Sequence, residues 1–309
     1  MRQIISAFEA GGKYGGGVVT KKLLGYFGSE YVHISRSNQE RRFVRFLRAL
    51  LIWLRCPILH PVFCTFGPRP VKGGGVLNFS QTFNLAVRFP ALEFELVAHD
   101  VIVQKRLPLN AWVRWSEKRI FKSAKRIYVL SEKDRRLLRR FYGVRDDRVV
   151  NLFEKLYPEV EPFRAKVRKR GVFRAIFLGS IRRAENYRGL EWFYYNVFPS
   201  CVDSIEVFCI GEVDDHLAAR FPEFKFVGFV ESLSDALSHC DFTIAPVLDG
   251  AGIKIKVIDS IVRKIPVIGT PKAFEGIGRP NYPYCSSDAK NWIDALNGGF
   301  IDYVYHPPL

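Results

Sequence analysis

Between residues 175 and 270, short apolar runs alternate with helix-length segments: AIFLGS at 175–180, VFCIG at 207–211, FKFVGFV at 224–230, FTIAP at 242–246 and IPVIGT at 265–270. Runs this short, rich in branched and aromatic residues and closed by glycine or proline, read as strands. The stretches between them, at 186–198, 233–240 and 255–263, carry apolar residues at helical spacing. Strand, turn and helix repeated at these lengths predict an α/β fold, a doubly wound parallel sheet with ligand at the carboxyl ends of its strands.

The segment 249–276, DGAGIKIKVIDSIVRKIPVIGTPKAFEG, adds chemistry to that frame. Gly250 and Gly252, with Ala251 and Ile253 between and after them, form a turn whose backbone N–H groups can approach a ligand closely. The helix that follows from 255 would place its N-terminus, with Lys254 and Lys256, against an anion. Asp259, about one turn further on, can accept hydrogen bonds from a ribose diol. The residue types and spacing therefore point to a nucleotide sugar.

This segment resembles the signature of the retaining glycosyltransferases of family 4, the group 1 transferases, in the form G-x-[RK]-x-K-x-x-E-A-x-A-x-G-x-P-V-[VI]-[AG]-T. Gly252, Lys254, Lys256, Pro266, Val267, Gly269 and Thr270 fall in place. The ribose-binding glutamate of the family corresponds to Asp259, and the other glutamate of its pair to Ala251. The resemblance implies a GT-B fold, two doubly wound Rossmann-like domains facing a central cleft, with the nucleotide-sugar donor on the second. It extends upstream to the strand and turn ending in Gly179, and to Gly228 in a segment that the family sets beside the base. Where many relatives carry Arg and Lys for the diphosphate, this chain has Ser180 and Glu185, so Arg182 and Arg183 are the expected substitutes.

In the first half, QIISAF at 3–8 reads as a strand, and GGKYGGG at 11–17 as a loop before a helix at 18–26. The loop is neither a Walker A sequence nor a dinucleotide fingerprint. By resemblance, Gly15, Gly16 and Gly17 would admit donor phosphates or acceptor; a plain flexible turn is the other reading. LVAHD at 96–100 resembles the family's strand that ends in a polar pair at the cleft, so His99 and Asp100 are expected to position the sugar or acceptor. Residues 115–124 read as a helix, 126–131 as a strand and turn, and Ser131 as the cap of a helix reaching about Tyr142.

At 309 residues with 48% hydrophobic content, the chain can bury two cores. A proline-punctuated, then highly charged stretch near 160–172 suggests the boundary, giving an acceptor domain at 1–165 and a donor domain at 166–309. The net charge of +16 is uneven: residues 1–170 hold 34 Lys and Arg against 14 Asp and Glu, and residues 171–309 hold 13 against 17. The first half is thus the one suited to an anionic surface. Its strongest candidate is RRFVRFLRALLIWLR at 41–55, too short to span a bilayer but suited to rest on anionic headgroups. A core helix with exposed arginines is the alternative there, and the lipid-linked acceptors of the family favour the membrane.

No signal peptide is read at the start, and the six cysteines show no zinc or CxxC spacing. Cys209 and Cys240 read as buried free thiols, which predicts a cytoplasmic protein, and the pattern at 41–55 adds a peripheral place at the inner face of the plasma membrane. The expected activity is retaining transfer from a nucleotide-diphosphate sugar to a glycan or lipid-linked hydroxyl, in surface polysaccharide or glycolipid synthesis. Lys256 would stabilise the leaving diphosphate, with no metal, no other cofactor and no nucleic-acid partner. A non-catalytic GT-B scaffold and a basic nucleic-acid-binding protein are the competing readings.

Overall fold

The computed structural model describes residues 3–6, 10, 15–28, 30–33, 74–89, 91–105, 110–168 and 171–308. The basic segment 41–55, residues 11–14 of the glycine-rich stretch, and Cys56 and Cys64 lie outside the described residues. The chain divides into two compact units, Met1–Pro158 and Glu159–Leu309. This puts the division at Pro158, ahead of the charged stretch that the sequence suggested as a connector.

In the first unit, β1 (Gln3–Ser6), β2 (Glu30–His33), β3 (Gly75–Asn78), β4 (Phe94–Ala98), β5 (Arg126–Val129) and β6 (Val149–Asn151) form one parallel sheet. Their order is β2-β1-β3-β4-β5-β6, so the winding reverses between β1 and β3. A crevice opens at the carboxyl ends of strands where the order reverses, and ligands of such sheets collect there. The helices of this unit include α1 (Gly15–Phe27), α2 (Asn84–Arg88), α3 (Asn110–Ser123) and α4 (Glu132–Tyr142). Helix α1 begins at Gly15, so Gly15, Gly16 and Gly17 form its first turn and not a loop before it. Without β-carbons they lose helix propensity, yet the first turn needs no intrahelical donor and tolerates them.

Helix α4 shows how local sequence sets its limits. Ser131 is the N-cap, its oxygen accepting the Asp134 N–H at 3.1 Å, and Gly143, at φ 64°, ends the helix in the left-handed region. Leu138 and Tyr142 face the core. The buried Glu117 of α3 accepts the backbone N–H groups of Ile102 (2.6 Å) and Val103 (3.1 Å) and the hydroxyl of Tyr142. Asp134, also buried, accepts from the side chain of Gln104 at 3.1 Å. Two helix carboxyls therefore pin the turn at 102–104, which directly follows His99 and Asp100.

In the second unit, β8 (Phe173–Leu178), β9 (Ile205–Ile210), β10 (Lys225–Gly228), β11 (Phe242–Ala245) and β12 (Val267–Gly269) form a parallel sheet ordered β10-β9-β8-β11-β12. The order reverses between β8 and β11. Its helices include α5 (Ala184–Asn196), α6 (Leu233–Ser238), α7 (Ile255–Val262) and α8 (Ala289–Asn297). Each strand of this sheet overlaps a run read from the sequence, β8 and β9 starting two residues ahead of theirs.

A second, antiparallel sheet was not read from the sequence. Here β7 (Phe163–Arg168) pairs with β14 (Phe300–His306), which also pairs with β13 (Arg279–Pro280). The expected charged connector at 164–170 is thus largely a strand. Phe163, Ala165 and Val167 face inward while Arg164, Lys166 and Arg168 face solvent, a period of two.

The core of this unit is aromatic, with Phe193 against Trp292 and Phe224, and Phe173 edge-on to Phe242. Helix α5 lies very close to the end of β11: a β-carbon at Gly189 would fall 2.0 Å from the carbonyl oxygen of Pro246. Only glycine fits at that contact, and it sets the height of α5 over the switch point. Cys209 is a buried free thiol as expected, whereas Cys240 is only half-buried.

Candidate functional site

Helix α7 starts at the carboxyl end of β11, on the switch point of the second sheet. Its N-cap, Lys254, provides no side-chain cap, and no acidic residue lies in the first turn. The partial positive charge of those first N–H groups is therefore not offset from within the helix. The turn before it has two left-handed glycines, Gly250 (φ 115°) and Gly252 (φ 70°). The Asp249 carboxylate caps the N–H of Gly250 at 2.6 Å and pairs with Arg188 of α5 at 3.0 Å. Ala251 and Ile253 in this turn are half-buried, and Gly252 is buried.

The buried face of α7, Val257, Ile258 and Ile261, packs the helix onto the sheet, and Thr243 of β11 donates to Ser260 at 3.0 Å. That fixes the rotation of α7, and with it the direction of Lys256. The Lys256 ammonium lies 4.7 Å over the ring of Phe177 and donates to the Asn186 side-chain oxygen at 3.0 Å. Asn186 in turn donates to the carbonyl of Ser180 at 2.9 Å, tying α5, the β8 turn and α7 together. Desolvation lowers the Lys256 pKa to about 7, with the nearby charges of Arg183 and Lys254 acting in the same sense and Glu185 against them. A buried lysine held this far below its ordinary value, with two other cations acting on it, is a candidate anion site.

The structure thus brings Arg183, Glu185, Lys254 and Lys256 into electrostatic contact at one switch point. Arg183 pairs with Glu185, and Lys254 donates to the carbonyl of Gly252 at 2.6 Å. Arg182, the other expected phosphate ligand, instead faces Glu212 at 2.9 Å and Asp214 at 3.7 Å. Asp259 is half-buried on α7, and its carboxylate has a loose ion pair with Arg263 at 3.8 Å. Gly179 follows β8, and Gly228 ends β10 between the exposed side chains of Val227 and Phe229. Asn186 was missed in the sequence, where it looks like an ordinary residue in the first turn of a helix.

In the first unit, His99 and Asp100 follow β4 and are half-buried. The Nε2 of His99 is 2.6 Å from the side-chain oxygen of Asn78, and its ring stacks on Phe79 with centroids 3.7 Å apart. Phe79 has φ 73°, a costly backbone for a bulky residue and of the kind that clusters at functional sites. Asn78 ends β3 and Phe79 follows it, beside the first sheet's switch point; neither residue carries a local sequence signal.

Residues 173–298 match the profile of the family described as Glycosyl transferases group 1. No curated protein matches the chain in sequence. Among solved structures, Anabaena Alr3699/HepE, described in complex with UDP and glucose, aligns with a TM-score of 0.59 at 9% identity over 96% of this chain and 89% of that one. A glycosyltransferase from Rickettsia africae ESF-5 aligns with a TM-score of 0.56 at 14% identity, over 96% of this chain and 87% of that one. WaaG, a glycosyltransferase involved in lipopolysaccharide biosynthesis, aligns with a TM-score of 0.52 at 12% identity, over 87% and 81%. Identities this low speak for the fold alone, and the profile match covers the very segment that holds the lysine cluster. The chain has the GT-B fold, and residues 173–298 of its second unit match the Glycosyl transferases group 1 profile.

Proposed function

We propose that this protein moves a sugar, with retention at its anomeric carbon, from a nucleoside-diphosphate donor to a hydroxyl of a glycan or lipid-linked acceptor, in surface polysaccharide or glycolipid synthesis. The observation that carries the reading is the convergence of Arg183, Lys254 and Lys256 at the open N-terminus of α7. Such a cluster stabilises the negative charge that develops as the diphosphate leaves, which is the largest single contribution in many transferases. Asp259 would hold the ribose, and His99 and Asp100 would position the sugar or acceptor. With cations already supplied by the chain, the leaving group needs no divalent ion.

A thermal-shift screen against UDP, GDP, ADP and CMP sugars, run with and without EDTA, tests both parts, because a ligand that binds only the folded state raises its stability. One nucleotide is expected to stabilise the protein equally in both conditions. Replacing Asp259 with Ala should weaken that binding by about 1–3 kcal/mol, the scale of hydrogen bonds to a charged group. Unchanged affinity in the folded variant would remove Asp259 from the site. Turnover abolished by EDTA and restored by magnesium or manganese would refute the metal-free reading.

Membrane docking through 41–55 is also proposed, from the arrangement of arginines and apolar residues in the sequence and the charge excess of the first half. No helix among the described residues is long and apolar enough to cross a membrane. Replacing Arg41, Arg42, Arg45 and Arg48 with Gln should release the protein from anionic vesicles, at about 1 kcal/mol per basic residue. Sedimentation decides it: equal binding of the wild type to anionic and neutral vesicles, or to neither, would reject docking.

A further inference from the structure

The polar groups behind His99 form a chain in which each hydrogen is assigned by the one before it. Thr20, buried on α1, donates its only hydroxyl hydrogen to the carbonyl of Gly16 at 2.8 Å. Toward Asn78 it can therefore only accept. The side-chain atom of Asn78 that lies 3.0 Å from Thr20 must be its amide nitrogen, which also lies 3.1 Å from the Ser6 hydroxyl. This settles the orientation of an amide whose nitrogen and oxygen are otherwise interchangeable.

The oxygen of Asn78 is left facing His99 Nε2 at 2.6 Å. An amide oxygen has no hydrogen to give, so Nε2 must carry the proton, and in the neutral ring the basic lone pair resides on Nδ1. Asn78 and Ser6 are fully buried, so the chain does not reorient through solvent. The stacked ring of Phe79 holds the plane of the imidazole. The backbone strain at Phe79 is consistent with a geometry maintained for this purpose.

We propose that Asn78, keyed by Thr20, is a positioning residue that locks His99 as the Nε2–H tautomer, with the basic lone pair on Nδ1, in the orientation in which the ring positions a hydroxyl of the transferred sugar or of the acceptor. The last clause rests on the function proposed above; the tautomer does not. The chain begins at the carbonyl of Gly16, which gives the glycine-rich first turn of α1 a role in orienting His99.

Long-range proton–nitrogen spectra of the full chain, labelled with heavy-nitrogen histidine, read the tautomer directly. Six histidines make the spectrum tractable, and H99Q identifies the signals of His99. The wild type is expected to show the Nε2–H pattern above the pKa of the ring. Thr20→Val, which keeps the shape and removes the hydroxyl, should let the amide turn and introduce the Nδ1–H form. Thr20→Ser should restore the wild-type pattern. In T20V, kcat should fall about tenfold, the effect of losing one oriented hydrogen bond, with nucleotide affinity unchanged. An Nδ1–H wild type, or a T20V spectrum identical to wild type, would overturn the proposal. The spectra are recorded without substrate, so a wrong donor assignment would leave the tautomer standing, and a wrong tautomer would leave nucleotide binding standing.

Discussion

Replacing Lys256 with Met is expected to lower kcat/KM by about 10²–10³-fold, the usual cost of removing one preorganised group from a developing anion. Methionine keeps the apolar stem over Phe177 and removes only the charge and the bond to Asn186. The fold should survive, because the ammonium is held in the ligand-free protein at a cost: burial and its two cationic neighbours bring its pKa down to about 7. A bound diphosphate reverses that balance and favours the charged form. Above about pH 7 the free protein must therefore take up a proton to bind its donor, and affinity should fall by up to about tenfold per pH unit until the pKa of the complex is reached. Glu185 opposes the shift and Arg183 and Lys254 reinforce it, so these are the charges that set the midpoint. Calorimetry in buffers of different ionisation enthalpy reads the proton directly. A folded K256M enzyme within tenfold of wild type, or donor binding without proton uptake at pH 8, would remove Lys256 from its role.

The second large effect is expected at Glu117, where burial pushes the carboxyl up to about 7 against an ordinary 4.5. The folded state then keeps its proton through a range in which the unfolded chain has lost it. Stability of the first unit should therefore fall as pH rises from about 4.5 to about 7, by about 3 kcal/mol in total. Replacing Glu117 with Gln should flatten that dependence. Replacing it with Ala should cost about 3 kcal/mol or more, because the N–H groups of Ile102 and Val103 and the hydroxyl of Tyr142 would each lose their buried acceptor. Amide exchange in β3, β4 and β5 follows the first unit alone. Exchange in the wild type that is equally slow at pH 5 and pH 7.5 would contradict the shift. Since Glu117 holds the turn directly after Asp100, loosening it should also disturb His99 and Asp100.

What was legible in the sequence was what short spacing encodes. The strands of the second parallel sheet, the limits of α4 from Ser131 to Gly143, and the run from Gly250 to Asp259 depend on neighbours within a turn or two, so periodicity and cap residues reveal them. The glycines at 15–17 read as part of a loop from the sequence, whereas they form the first turn of α1, where few intrahelical bonds are needed and glycine is tolerated. At 164–170 the density of charge hid an alternation of period two. The partner that makes this segment a strand is β14, at the far end of the chain.

The sequence by itself determined the α/β class, the alternation of strand and helix in the second half and the identity of the lysine-bearing helix, because each follows from residue types at fixed local intervals. Only the tertiary structure decided which charges meet. It set Arg183, paired with Glu185, within electrostatic reach of Lys256, turned Arg182 toward Glu212, set Asn186 under the ammonium, and lined up Thr20, Asn78 and His99 from three separate elements. Such contacts depend on strand order and on close approaches like that of Gly189 to Pro246, which join residues far apart in the chain and leave no periodic trace in it.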